Sequence, residues 1–390
     1  GRRKNCAHHL RAKFRLLPYN NVCESRILFF PRLFDEPERA FIAELSDGNF
    51  GEAFKLAERM TGRDGANPLA QAALGIGAIA KKRYQTARGY LQRAAGGRGR
   101  NSDLTVALLT AWTHVGQGNL KRALEIVDGF SSPELAAYRN FFGGLMAEVA
   151  GDMGEAGKRL AVAYRTEPGT LRVADAYARH VSRHGNRDDA VKVYAEWENR
   201  TSGQAFVRQQ LSELRAGRPL PPLAGNVQQG SAEVLYGLGA ASNSGREQVE
   251  TSLIFMQLAG FLSPDDDLIK VSVAELFEQM KQWQRSGEVF SRISAASPYR
   301  TRSLLGRVVA FERLDKTDDA IRTLTTLLQE SPDELDAVDM LAGLYRQKKN
   351  LTESIETYTR AIERIPNPER SQWNLFFGRG VSLERNKQWQ

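Results

Sequence analysis

The chain has 390 residues, with 54 Lys and Arg against 46 Asp and Glu, for a net charge of +8. At 42% hydrophobic and 26% charged it lies outside disordered composition, and its two cysteines are too few for a disulfide-built fold. No stretch approaches the roughly 18 consecutive apolar residues of a membrane-crossing helix. The charge excess is local: residues 1–32 hold eight Lys and Arg against the single acid Glu24, and the rest of the chain is nearly balanced. A basic nucleic-acid-binding stripe is therefore not expected on the folded body.

The first 33 residues stand apart. They hold both cysteines, Cys6 and Cys23, together with His8 and His9, and show neither an initiator Met nor an apolar core followed by a cleavage site. They are expected to form a basic, disordered or non-native tail on a stretch of a longer protein, the alternative being an arm that touches anionic lipid or nucleic acid.

From residue 34 to 202, apolar residues recur at i, i+3, i+4 and i+7 in pairs of helical blocks, split by polar or Gly-containing turns. Gly48, Phe50 and Ala53 mark a degenerate first pair; Leu74-Gly75, Tyr84, Ala87, Leu91 and Ala94 mark the next. Ala111, Gly118, Leu120, Ala123 and Val127 follow, then Gly144, Gly151, Ala156, Leu160, Ala163 and Pro168. Tyr177-Ala178, Gly185, Ala190, Tyr194 and Trp197 make a fifth.

Residues 203–232 interrupt the pattern with a helical stretch from Phe206 to Leu214, followed by Arg218-Pro219-Leu220-Pro221-Pro222-Leu223. Three prolines in four positions favour an extended path, so this reads as a linker or capping crossover, or as a Pro-rich ligand for another protein. Residues 233–390 form a second block, in which Pro264, Pro298, Pro332 and Pro366 follow one another at steps of 34 residues. At each junction a missing N–H and a fixed φ end one helix and permit the next. Between the prolines lie Val273-Ala274, Phe277, Trp283, Ser286, Phe290 and Ile293; then Val308, Phe311, Ala320, Leu324 and Leu327. The last full pair carries Leu341-Ala342, Tyr345, a turn at Lys349-Asn350, Leu351, Ser354, Tyr358 and Ala361, and Trp373, Phe376, Phe377, Gly380, Leu383 and Trp389 open a truncated one.

A 34-residue period with two helices and these large, small and aromatic slots resembles the tetratricopeptide repeat. The resemblance covers most of the chain, about nine units over residues 34–368, and extends broadly to tetratricopeptide proteins of bacteria, proteobacteria in particular. It implies an all-α fold, an α-solenoid of antiparallel helix pairs (a TPR superhelix), with about five units in the first block and four plus one helix in the second. It also implies a concave groove, lined by the first helix of each pair, that holds a peptide or a partner helix. Carried onto this sequence, the groove slots are Leu69, Ala72, Ile76 and Ile79, then Leu108, Trp112 and Val115, then Tyr138, Phe141 and Leu145. The next pair supplies Arg172, Asp175 and Arg179, and later pairs Val271, Glu275, Arg302, Leu305, Asp336, Asp339 and Arg346. The amino-terminal groove is thus expected to be apolar and aromatic, with Arg172 and Arg179 at its edge placed to fix a carboxylate. Winding tight enough to bury these residues as core is the alternative.

Nothing in the sequence points to catalysis. Gly75-Ile-Gly77-Ala-Ile-Ala80 and Gly237-Leu-Gly239-Ala-Ala-Ser242 approach a dinucleotide fingerprint, but no strand precedes either. His180 and His184 share a helix face but lack further ligands, and read as solvent-facing or helix-end histidines. Asp265-Asp266-Asp267 lacks the spaced acids of a calcium loop and reads as a helix start. The chain is therefore expected to be a non-enzymatic scaffold or adaptor, without cofactor or metal, that binds a protein or peptide and no nucleic acid. Self-association through the exposed helix after Pro366 is a further expectation. The alternative is the substrate-recruiting region of a larger enzyme or envelope-assembly factor whose other domain lies outside this chain. The compartment stays open, with the bacterial cytoplasm ahead of the periplasm or envelope.

Overall fold

A computed structural model describes residues 36–63, 67–96, 104–201, 204–241 and 246–388; the basic tail and Trp389 lie outside the described residues. The described chain is all-α, and it divides into two compact units, the first reaching Ile269 and the second beginning at Lys270.

In the first unit, five antiparallel hairpins follow one another. They pair α1 (Glu36–Asp47) with α2 (Phe50–Arg63), α3 (Pro68–Ala80) with α4 (Tyr84–Ala94), and α5 (Leu104–Val115) with α6 (Leu120–Asp128). Next, α7 (Ala136–Ala150) pairs with α8 (Met153–Thr166) and α9 (Leu171–His184) with α10 (Arg187–Arg200). The two helices of a pair differ in kind. Second helices are amphipathic: α4 buries only Ala87, Leu91 and Ala94, and α6 only Ala123 and Val127. The first helices α3, α5 and α7 are apolar nearly all round, whereas α1 and α9 keep a polar face; α3 buries an unbroken stretch from Leu69 to Ile79 apart from Ala72. A helix without a polar face must be covered on both sides.

The hairpin turns repeat a backbone device. Gly48, Gly118, Gly151, Lys82, Lys281, Asp315, Lys349 and Lys387 all take positive φ, and Lys281, Asp315 and Lys349 are spaced 34 residues apart. The small slots work as expected: a Cβ on Gly75 would stand 3.0 Å from Leu91 Cγ, and one on Gly144 would stand 2.7 Å from Leu160 Cγ.

After α10 the chain departs from the expected blocks. A regular helix, α11 (Ala205–Arg215), packs on α10, and Val207, Leu211 and Leu214 join Tyr194 and Trp197 in one core. Helices α12 (Val227–Ala241) and α13 (Arg246–Leu262) then form a sixth hairpin. The expected boundary at residue 233 falls inside α12. The first unit extends past it because α12 packs on α3, α5 and α7, and α13 packs on α1 and α3.

The second unit begins inside α14 (Asp267–Gln279), followed by α15 (Trp283–Ser291), α16 (Arg300–Arg313) and α17 (Thr317–Glu330). It closes with α18 (Leu335–Gln347), α19 (Leu351–Glu363) and α20 (Trp373–Arg385). Its core is layered: Val271 and Ala274 meet Phe290 and Ile293; Leu304 and Val308 meet Ala320, Leu324 and Leu341; Val338 and Ala342 meet Tyr358 and Leu375. Each layer joins neighbours in sequence, as in a quasi-one-dimensional stack.

Candidate functional site

The groove slots of the first unit are brought together, but they are not open. Leu69 and Ile76 on α3, Leu108 and Trp112 on α5, and Tyr138, Phe141 and Leu145 on α7 are all buried, Trp112 at 0% exposure. What covers them is the chain's own α12–α13 hairpin, which lies across the first helices. The closest approach is at Gly230, where a Cβ would stand 2.1 Å from Trp112 Cζ2, so only glycine lets α12 settle on the indole. Gln228 Nε2 donates to Ile79 O at 2.9 Å, and Gln257 Nε2 on α13 donates to Ser46 O at 2.9 Å. At the far end Phe261 meets Phe50 (centroids 4.6 Å apart) and lies edge-on to Phe54 at 5.3 Å.

The arginine edge is occupied as well. Arg172 grips Glu233 of α12 in a two-pronged pair, its Nε donating to Oε2 at 2.9 Å and its Nη2 to Oε1. Asp266 and Asp175 flank the same guanidinium at 3.6 and 3.8 Å, and the Tyr236 ring lies 5.6 Å from it. Burial opposes the charge on Arg172, yet the three carboxylates outweigh it and hold the guanidinium well above its ordinary range. Burial pushes the Glu233 carboxyl up, against the pull of Arg172. Arg179 turns to Asp175 at 2.7 Å, and the same carboxylate accepts from the Tyr194 hydroxyl, whose pKa burial raises far above that of a free phenol.

The Pro-rich segment is a strap. Arg183 Nη1 donates to Leu220 O at 2.8 Å, Arg179 Nη1 donates to Pro221 O at 3.0 Å, and the Leu220 N–H donates to Ser182 Oγ at 3.1 Å. All three side chains stand on α9, so the strap crosses its face and delivers α12 to the groove. His180 is buried rather than solvent-facing: its Nδ1 lies 2.8 Å from Glu148 Oε1, an oxygen that Arg183 shares, while His184 is exposed. Among the described residues no cluster of His, Cys, Asp or Glu is arranged to hold a metal. Asp266 Oδ1 accepts from the backbone N–H groups of Leu268 and Ile269, capping α14.

In the second unit Val271 and Leu305 pack into the core, and the other corresponding slots are charged. Arg302 bridges Glu275 at 2.9 Å and Glu278 at 3.1 Å, Asp339 accepts from the Tyr358 hydroxyl at 2.7 Å, and Arg346 donates to Gly378 O at 3.3 Å. Asp336 is exposed. On α20 Trp373 and Phe377 are 55% and 62% exposed, their rings 5.5 Å apart.

The coverage of the first groove escaped the sequence reading. Its signal was present in the all-round apolar character of α3 and α5, and in Glu233, a lone acid in an otherwise uncharged helix.

The described residues form an all-α array of helix pairs. Residues 305–368 match the family model described as tetratricopeptide repeat. Among solved structures it is similar to the tetratricopeptide domain of P58(IPK), at 16% identity over 91% of this chain and 98% of that one, with a TM-score of 0.30. It is also similar to yeast Tom70, at 12% identity over 82% and 81% with a TM-score of 0.32. A tetratricopeptide repeat protein from Parabacteroides merdae shares 14% identity over 65% and 88%, with a TM-score of 0.29. No curated protein matches the chain by sequence.

Proposed function

We propose that this chain is a non-enzymatic scaffold that holds a helix or a peptide of another protein on the faces of its first helices. One observation carries it: in the first unit those faces already hold a helix, α12, through an aromatic floor and an arginine clamp. That is the helix-in-groove mode of recognition, with the ligand supplied in cis. The second unit leaves Asp336, Trp373 and Phe377 exposed, and in this reading a foreign partner docks there.

The test is affinity capture from a lysate of the source cell with the full chain, beside a Trp373→Ala/Phe377→Ala variant shown by circular dichroism to stay helical. A partner held by the wild type and lost from the variant supports the scaffold and its docking face. A partner held equally by both moves the site elsewhere; no partner with either bait sets the scaffold aside. Light scattering on the two baits separates a foreign partner from a second copy of the chain.

A further inference from the structure

The groove of the first unit is filled, though not by a complete fit. Trp112 Nε1 is buried beneath α12 without a hydrogen-bond acceptor, and Ser231 Oγ on α12 is buried without a partner. Both stand where α12 passes Gly230, Ser231 and Ala232 over the groove floor. A buried donor left without an acceptor weighs against the occupied state. Among the directional bonds that hold the hairpin down are a buried ion pair and two glutamine side chains reaching backbone carbonyls. Buried ion pairs confer register and specificity more than stability. The groove therefore specifies what it holds more than it favours holding it.

We propose that α12–α13 is an exchangeable occupant, and that the groove takes in its place an amphipathic helix of defined chemistry. That helix carries a small residue, a carboxylate three positions on and an aromatic three further, the pattern set by Gly230, Glu233 and Tyr236. This rests on the scaffold reading above. Residues at that spacing share one helix face. The small residue sits on Trp112, the carboxylate enters the fork of Arg172, and the aromatic ring faces the guanidinium. An acceptor oxygen placed over the indole satisfies Trp112 Nε1, which Ser231 of α12, beside Gly230, does not. The strap stays on α9 through Arg179, Ser182 and Arg183, so the hairpin swings from Gly225.

Native-state hydrogen exchange on the full chain is the first test. The amides of α12 and α13 are expected to exchange together at least tenfold faster than those of α5 and α7. If α12 exchanges only along with α5 and α7, the proposal is overturned. The second test titrates a fluorescent peptide of residues 226–241 into the full chain carrying Gly230→Leu, whose side chain has no room over Trp112. Saturable binding that weakens at least tenfold when Arg172→Met is added is the expected result; a helical Gly230→Leu chain that ignores the peptide overturns it. Should Gly230→Leu fail to fold, exchange on the wild type decides alone. A partner captured through Trp373 and Phe377 while α12 stays protected leaves the scaffold standing and ends the exchange proposal.

Discussion

Glycine does opposite work at two positions of one helix. At Gly230 the indole of Trp112 occupies the volume a methyl group needs, whereas Gly237 has nothing within 4 Å. Gly230→Ala is expected to destabilise the first unit by roughly 1–3 kcal/mol through overpacking. Gly237→Ala should instead stabilise it by about 0.5–1 kcal/mol through helix propensity. Urea unfolding of the two variants gives the comparison, and a shift of the same sign in both refutes the assignment. The hairpin turns offer a second case. Lys349 holds φ at 65°, where an L-residue is strained, so Lys349→Gly should raise stability by up to about 1 kcal/mol. Tyr358 supplies a pH signature: burial, helped by its bond to Asp339, pushes the phenol up to about 12. The unfolded chain ionises that phenol first, near pH 10. Its contribution to stability is therefore whole below about pH 10 and is lost as pH rises toward 12. Tyr358→Phe should flatten that part of the curve of melting temperature against pH.

At the scale of elements, the clamp between α9 and α12 can be dissected. Arg172→Met leaves Glu233 buried without its cation and is expected to cost about 3 kcal/mol. Glu233→Leu costs less, because Asp175 and Asp266 stay beside the guanidinium. The double variant should lie within about 1 kcal/mol of wild type, since replacing both members of a buried pair by apolar groups is often neutral. A double-mutant cycle in urea measures this, and strictly additive losses would show that the pair is not coupled. The elements themselves were legible in the sequence: the proline steps and the small-large alternation placed the hairpins, and the tight turn at Lys349 was read from its polar pair. What was not legible was which surface covers which. Trp112 was read as a groove residue, but periodicity within one helix pair says nothing about a helix more than 100 residues further on that returns to lie upon it. The same limit hid His180, whose burial depends on Glu148 from the preceding pair and not on its own helix. The arginines were read as seeking a carboxylate; that it would be Glu233 of the same chain was beyond any local pattern.

The two units differ as whole bodies. In the second, every core layer joins elements adjacent in sequence, so it is expected to unfold gradually, fraying from α20. In the first, Gln228 reaches Ile79 across 149 positions and Gln257 reaches Ser46 across 211. Long-range closure of that kind favours slow refolding. Denaturant titration followed by hydrogen exchange should show α12–α13 opening first, then one sharp step for α1–α11, and a broader one for α16–α20. The bridging hairpin also bears on how such a chain can change through descent. A stack held only by neighbours can lengthen or shorten by one repeat and keep its fold. The first unit cannot, because an inserted pair would carry Trp112 away from Gly230 and Ser46 away from Gln257. Duplicating α16–α17 should therefore give a folded chain, and duplicating α5–α6 should not. The hairpin acts as a ruler that fixes the repeat number of one unit, while the other remains free to vary.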